Sequence, residues 1–491
     1  MKSKVSKVLS ILLSVVLVIS SFYLLYQVIR LNVLPSKFLF PLTIGVVVLD
    51  AIFILLLIYF SKNVVSKIVC IVLTLFICIA SCMGGYYISK TQNVLSSITN
   101  VAKHAKNTVS VIVKESSSIK NKSQLNGVSV GSLRLNEQGS KKALKELSSE
   151  GIVLNQKEYD SMTTLLEAFY NGEVDSIIIN ESSRSQILDM EAYSNFDSNT
   201  RVVYQTSYKV KNNDSATSVS DITSKPFNVL ISGSDTRGGF DENGRSDVIM
   251  IATVNPKTHT ILLTSVPRDF YVTTACDAGD GCMQGALDKI THTGIHGTNT
   301  TKRTVEQLLG IEINYTFKVG FDTVTKLVDT LGGVDVYVEP GYAVHNEYIN
   351  VKEGVNHLYG EEALEYARER YAYTEGDRQR TKNQQQVLMG IVKEATKPSV
   401  ITNYAAIMDT MANTFSTTMS NEEITDLIKY QLNNNPTWKM EQYMVDGTGD
   451  TLMCAELGDA ASVMVPDQST VKMAKDKINA VLAGKSSEDV K

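Results

Sequence analysis

The sequence predicts an α/β protein: a mixed β-sheet flanked by helices, preceded by a small α/β accessory domain and three transmembrane helices. Three features carry the prediction. The first 90 residues hold three apolar stretches, a polar break lies at 211–225, and strand-like and helix-like segments alternate after Pro226. At 491 residues the chain has room for two domains of about 100–200 residues each besides its anchor. The formal charge of −5, without any block of like charges, points away from a nucleic-acid-binding tail.

The apolar stretches 8–29, 38–60 and 68–88 each match the roughly 20 residues that a helix needs to cross a bilayer. A cleaved signal peptide is the rival for the first stretch, but the apolar region is too long and no small-residue cleavage site follows it. Lys2, Lys4 and Lys7 precede the first stretch, and Lys62 and Lys67 join the second to the third. The positive-inside rule therefore places the short N-terminus in the cytoplasm. Three spans of a plasma-membrane protein then carry everything after residue 88 to the extracellular face. Asp50, in mid-span, is expected to bond to a neighbouring helix.

A polar helical stalk is expected at 91–105. Within 91–215 the accessory domain should contain a strand at 127–133, helices at 140–149 and 161–171, and a strand at 176–180, with Gly172 closing the second helix. The run KNNDSATSVSDITSK at 211–225 has linker chemistry. Residues 226–396 form the principal domain, and 397–491 are expected to extend from it and pack on it. Its strands, FNVLISG, DVIMIATVN, HTILLTSV, INYTFKV and VDVYV, are near-continuous apolar runs, which argues for a buried sheet. Helices at 301–309 and 322–331 end at Gly310 and at Gly332-Gly333.

Arginine placement is the chemical signal. The chain has 12 arginines against 35 lysines, yet eight of the 12 fall between positions 237 and 380. A guanidinium fork suits bidentate contact with phosphate or carboxylate oxygens, although ion pairs with Glu361, Glu362, Glu365 and Glu369 would serve any one of them equally well. A hairpin about Asn255-Pro256-Lys257-Thr258 places Asp247 nearly opposite Arg268. Asp235 reaches the same edge if its strand runs antiparallel. Two acids beside one base leave a spare negative charge, which suits a hard divalent cation such as Mg²⁺, with phosphate completing its shell.

A helix starting near 361 and ending about 370, then another starting with Asp377 near its N-cap, supply the second half. Arg380 and Gln384 share one stripe with Val387, Leu388 and Ile391, which should face the core. Polar groups at the head of such a stripe require a polar ligand, and a helix N-terminus favours an anion. His292 and His296 are four apart, but their loop context makes a zinc pair a poor reading. Cys276 and Cys282 could close a disulfide or remain two thiols.

The strings GSDTR, GRSDVIMIATVNP, TSVPRDFYV, LGGVDVYV and ALEYARERY, followed by Asp377, Arg380 and Gln384, resemble the LytR-CpsA-Psr (LCP) family of bacterial cell-envelope proteins. The three spans and accessory module resemble its capsule-associated CpsA branch. The resemblance implies an LCP-type phosphotransferase that moves a glycopolymer from undecaprenyl diphosphate to a muramic acid hydroxyl of peptidoglycan. It implies Asp235 and Asp247 as Mg²⁺ ligands, and Arg268, Arg368, Arg370, Arg380 and Gln384 as diphosphate contacts. Asp235, Arg268 and Asp377 become candidate catalytic residues, with Asp235 and Asp377 both open as the base. Arg237 and Arg245 lie within the matched strings as further candidate contacts. Implied partners are the lipid-linked glycan, peptidoglycan, the bilayer and other capsule-assembly membrane proteins. A non-enzymatic membrane regulator and a lipid diphosphate phosphatase are the rival readings. No helix-turn-helix or basic DNA-reading patch supports direct contact with nucleic acid.

Overall fold

The structure is a computed structural model that describes residues 2–60, 63–101, 104–134, 137–211, 213–234, 242–277, 282–397, 400–411 and 415–491. It divides into two compact units. One comprises Met1–Ser97, Ala395–Ala412 and Ser420–Thr437; the other comprises Ile98–Glu394, Asn413–Met419 and Trp438–Lys491.

In the first unit, α1 (Lys2–Leu31), α2 (Ser36–Leu55), which continues as a π-helical turn, and α3 (Val64–Val101) hold three helices long and apolar enough to cross a membrane. Their large apolar side chains are mostly exposed, as lipid-facing helices require. Asp50 accepts a 2.9 Å hydrogen bond from Ser21 of α1, the neighbouring-helix contact expected for it. The third helix runs on to Val101, through most of the polar stretch assigned to a stalk, but β1 begins at His104, so the end of that stretch is strand instead of helix.

The second unit opens with the accessory domain: β1 (His104–Lys114), β2 (Ser129–Leu133), α4 (Glu137–Ser149), β3 (Asn155–Tyr159), α5 (Met162–Asn171), β4 (Ser176–Asn180), α6 (Arg184–Asp189), α7 (Phe196–Asn199) and β5 (Thr200–Lys211). The strand order is β3-β2-β4-β1-β5. Period-two alternation sends Ile177 and Ile179 toward Leu165, Phe169 and Phe196, while Ile178 packs with Ala143 and Leu147 of α4. Ser161 caps α5 and Gly172 ends it at φ +79°, as expected. The long strands β1 and β5, the second of them at the edge of the sheet, were not legible, because polar residues interrupt their apolar positions. The linker is pinned beside the next domain: the Thr217 amide donates to the Asn314 carbonyl, and the Val219 amide to the Tyr315 hydroxyl.

The principal domain continues through β6 (Phe227–Ser234), β7 (Val248–Asn255), β8 (Thr260–Ser265), β9 (Tyr271–Thr273), β10 (Leu287–Lys289), α8 (Thr298–Leu309), β11 (Tyr315–Gly320), α9 (Phe321–Leu331), β12 (Val334–Val338), β13 (Val344–His345), β14 (Asn350–Val351), β15 (Gly354–Leu358), α10 (Gly360–Arg368) and α11 (Asp377–Ala395). Its mixed sheet is buried on both faces, as the apolar runs of β6, β7 and β8 require. Leu230, Ile251 and Leu262 pack with Val305 of α8 in one core, whereas Val328, Val336, Tyr366 and Val387 build a second. VDVYV corrects the reading of it as another buried strand. It pairs with β15 in a separate two-stranded sheet, burying its three valines and leaving Asp335 and Tyr337 outward.

The expectation for 397–491 also needs correction, because the segment divides. Helices α12 (Val400–Met411) and α13 (Asn421–Asn434) belong to the membrane-helix unit, where Lys90 pairs with Asp409 at 2.7 Å and Lys429 donates to Asn32 at 2.8 Å. Between them, β16 (Phe415–Thr417) pairs with β11 at an edge of the six-stranded sheet. Strand β17 (Lys439–Met444) lies parallel to β8, completing the order β16-β11-β6-β7-β8-β17. The hairpin β18 (Gly447–Cys454) and β19 (Asp459–Pro466) then leads to α14 (Gln468–Leu482), whose Ala474, Ile478 and Val481 join the first core.

Glu441 of β17 fastens the C-terminus by accepting from the Ser486 hydroxyl and the Ser487 amide, both at 2.8 Å, beside Lys439. Burial alone would raise its pKa, but the bonds from Lys439, Ser487 and Ser486 outweigh this and hold it at about 2. The stabilisation is therefore present above the ordinary value near 4.5 and disappears as pH falls toward about 2. A contribution of up to roughly 3 kcal/mol is expected. Thermal unfolding should find Glu441→Gln less stable than the parent at pH 6, with the gap closing by pH 2. A gap that persists unchanged would contradict this account.

Candidate functional site

The pairing of β6, β7 and β8 sets the first half of the site. Strands β6, β8 and β11 share one direction, so their C-terminal ends meet the start of β7 on one edge. This is where open α/β sheets bind ligands. The β7–β8 register, Met250 opposite Ser265, continues to Asp247 opposite Arg268, as the hairpin arithmetic required. The two side chains meet, Arg268 Nη1 donating to Asp247 Oδ1 at 2.7 Å, while Asp269 lies 3.8 Å from Arg268 Nε. Asp235 and Arg237 lie outside the described residues. Strand β6, which precedes them, is antiparallel to β7, as the hairpin reading requires, and the Asp247 amide bonds to the Gly233 carbonyl at 2.8 Å.

Helices α10 and α11 bring the second half. Arg380 and Gln384 face one cleft together with Arg245, Asp247, Arg268, Phe321, Arg368, Arg370 and Tyr371, which enclose about 280 Å³. The assembly is oriented by buried amides. Asn383 Nδ2 donates to the Tyr366 carbonyl at 3.0 Å and to the Tyr373 hydroxyl, and Gln385 Nε2 bonds to the Tyr443 carbonyl at 2.8 Å and the Ser265 hydroxyl at 2.9 Å. The stripe reading is thereby amended: Gln379, Asn383, Gln385 and Val387 are fully buried, whereas Leu388 and Ile391 are only partly so. A helix enclosed on several sides can bury polar groups wherever a carbonyl or hydroxyl answers them.

Seven candidates named from the sequence, Arg245, Asp247, Arg268, Arg368, Arg370, Arg380 and Gln384, thus line one cleft. Asp377 is not among the lining residues; it forms an ion pair with Arg380 one helical turn away. Phe321 and Tyr371 were missed. Their guanidinium partners lie over the rings, Arg368 at 5.5 Å from Phe321 and Arg370 at 4.6 Å from Tyr371. The position of Phe321, at the C-terminal end of a strand parallel to β6, was the available signal.

Among the described residues, five arginines and one carboxylate line this cleft. The side chains of Arg245, Arg268 and Arg380 are only 12, 18 and 12% exposed, and the buried Nε of each has no hydrogen-bond partner. Burial pulls the Arg380 pKa down, aided by the positive charges of Arg268 and Arg370, despite Asp377. Burial acts likewise on Arg268, but Asp247 and Asp269 outweigh it and raise its pKa. An anion with several oxygens would satisfy the idle Nε donors and relieve the crowded cations.

Elsewhere, Cys276 and Cys282 form the disulfide that was one of two readings. His292 and His296 do not converge on a metal: His292 Nδ1 bonds to Asp288 at 2.7 Å, and His296 Nε2 bonds to Glu456 at 2.9 Å. Among the described residues, no group of three or more histidines, cysteines or acids is placed to hold a metal ion. Asp247 is a hard-oxygen donor on the cleft wall, and this fits a cation that takes most of its ligands from phosphate and water.

Fold and cleft together define an α/β protein with an arginine-lined cleft and apolar helices long enough to cross a membrane. The chain matches the LytR_cpsA_psr family model over residues 192–480, more than half its length, and belongs to that family. It is similar to the protein named polyisoprenyl-teichoic acid–peptidoglycan teichoic acid transferase TagU of Bacillus cereus, with 30% identity over 241 residues, covering 48% of this chain and 76% of that protein. The Bacillus subtilis protein of that name is 34% identical over 203 residues, covering 41% of this chain and 63% of its own length. Among solved structures, protein gbs0355 of Streptococcus agalactiae aligns with a TM-score of 0.46 at 26% identity, covering 53% of this chain and 89% of that one.

Proposed function

We propose that this protein transfers a glycopolymer from a polyprenyl diphosphate carrier to peptidoglycan. The observation that carries the proposal is the cleft in which, among the described residues, five arginines face one carboxylate, three of them with buried Nε atoms that lack hydrogen-bond partners. Family membership and the names of the TagU relatives support the same reaction class. Capsular polysaccharide is the proposed polymer and undecaprenyl diphosphate the proposed carrier. The three spans and accessory domain support the capsule assignment.

In the proposed reaction an acceptor sugar hydroxyl attacks the phosphorus that bears the glycan. The new phosphorus–oxygen bond forms as the bond to the lipid phosphate breaks, and the departing lipid phosphate takes up negative charge. Arg268, Arg370 and Arg380, which line the cleft, would bind the oxygens on which that charge grows, and the catalysis would be chiefly electrostatic. Gln384 adds an amide donor and Arg368 a further cation. Asp377, beside Arg380, and Asp235 are the candidates to take the hydroxyl proton. Asp247, with Asp235, would hold Mg²⁺, whose bound charge would neutralise and polarise the diphosphate. The N-terminus is proposed to be cytoplasmic, with the cleft on the extracellular face where a lipid-borne donor and the wall meet.

The test is to incubate the full-length protein in detergent with polyprenyl diphosphate glycan, Mg²⁺ and peptidoglycan, and to assay a covalent glycan–peptidoglycan adduct. Free phosphate without adduct would replace this reading by a phosphatase, and neither product would favour a regulator. Donors carrying capsular repeats should react faster than donors carrying teichoic acid; the reverse order would overturn the capsule assignment.

A further inference from the structure

The accessory domain holds the segment that carries the cleft residue Arg245 through two contacts that the proposed reaction leaves unexplained. Asp189, the last residue of α6, forms an ion pair with Nη1 of Arg245, which lines the cleft. Among the described residues, Arg245 is the lining arginine paired with the accessory domain. Three positions earlier, Glu242 is 5% exposed and forms a parallel bridge with Lys106 of β1. Its carboxylate accepts from the Thr108 hydroxyl and lies 3.4 Å from Lys106 Nζ, and its carbonyl accepts from Lys318 of β11. Beyond Arg245, Ser246 is held from inside the principal domain, its amide on the Thr291 carbonyl at 3.0 Å. The backbone that carries Arg245 is therefore fixed on both sides, and its side chain is fixed by Asp189.

We propose that the accessory domain is a positioning element of the diphosphate site, with Asp189 holding Arg245 in its cleft-facing arrangement and Lys106 and Thr108 securing the segment behind it. The inference rests on the proposed function. Its physical content is that Asp189 occupies Nη1 and leaves the unpartnered Nε free for a ligand oxygen. With four side-chain torsions, an untethered arginine would lose more freedom on binding. The Asp189 side chain is 56% exposed, so the pair adds little stability and its value lies in orientation.

The experiment measures farnesyl diphosphate binding to the full-length protein by calorimetry, alongside transfer kinetics. Asp189→Ala should weaken binding about tenfold with an unchanged unfolding temperature, and Asp189→Glu should recover most of it. On an Arg245→Ala background, Asp189→Ala should have no further effect. If Asp189→Ala binds as tightly as the parent, or loses equally on both backgrounds, the positioning role is wrong. If the parent itself binds no diphosphate, the failure belongs to the reading of the cleft instead.

Discussion

Arg380→Ala should lower transfer by on the order of 10²–10³-fold, the usual consequence of removing one preorganised donor to developing charge. Global stability should change by no more than about 1 kcal/mol. The two effects separate because Arg380 is costly to keep in the unliganded fold: it is buried beside Arg268 and Arg370, with Asp377 as its ion-pair partner. Removal relieves like-charge crowding and leaves Asp377, about a quarter exposed, able to hydrate. Arg268→Ala should cost as much transfer but more stability, because it strips Asp247, 13% exposed, of its partner. Adduct formation and thermal unfolding measured on the same preparations check both. Transfer retained in both variants would refute the site.

Asp247→Asn is the second large effect. The amide keeps the shape of the side chain but removes the charge that pairs with Arg268 and is proposed to attract Mg²⁺. Transfer should fall by about 10²-fold or more, and the Mg²⁺ concentration giving half the maximal rate should rise roughly tenfold. A titration with Mn²⁺ as a spectroscopic substitute, in the presence of farnesyl diphosphate, should show matching loss of affinity. A variant with parental rate and parental Mg²⁺ dependence would remove Asp247 from the metal role and leave it as a structural partner of Arg268.

Local rules made part of the site legible. Asp247 and Arg268 could be placed opposite one another because antiparallel register is a matter of counting from a turn, and Asn255-Pro256-Lys257-Thr258 identified the turn. Arg380 and Gln384 were paired because residues four apart share a helix face. Counting could not supply Phe321 and Tyr371, which come to the cleft from the start of α9 and the loop before α11. Nor could it show that Gln379, Asn383 and Gln385 are interior residues, since a buried amide looks like a surface residue until its carbonyl partner is known.

By itself, the sequence determined what short-range physics dictates: three apolar helices of membrane-crossing length, a buried mixed sheet, helix ends at Gly172, Gly310 and Gly332, and a concentration of arginines too selective for solubility. Tertiary structure decided which distant segments meet. It separated VDVYV from the main sheet, divided the last hundred residues between two units, and brought Asp189 to Arg245 across 56 positions of chain. The reason is that periodicity and capping are properties of a few neighbouring residues. Strand partners and long-range ion pairs depend on how whole surfaces fit, which no local window contains.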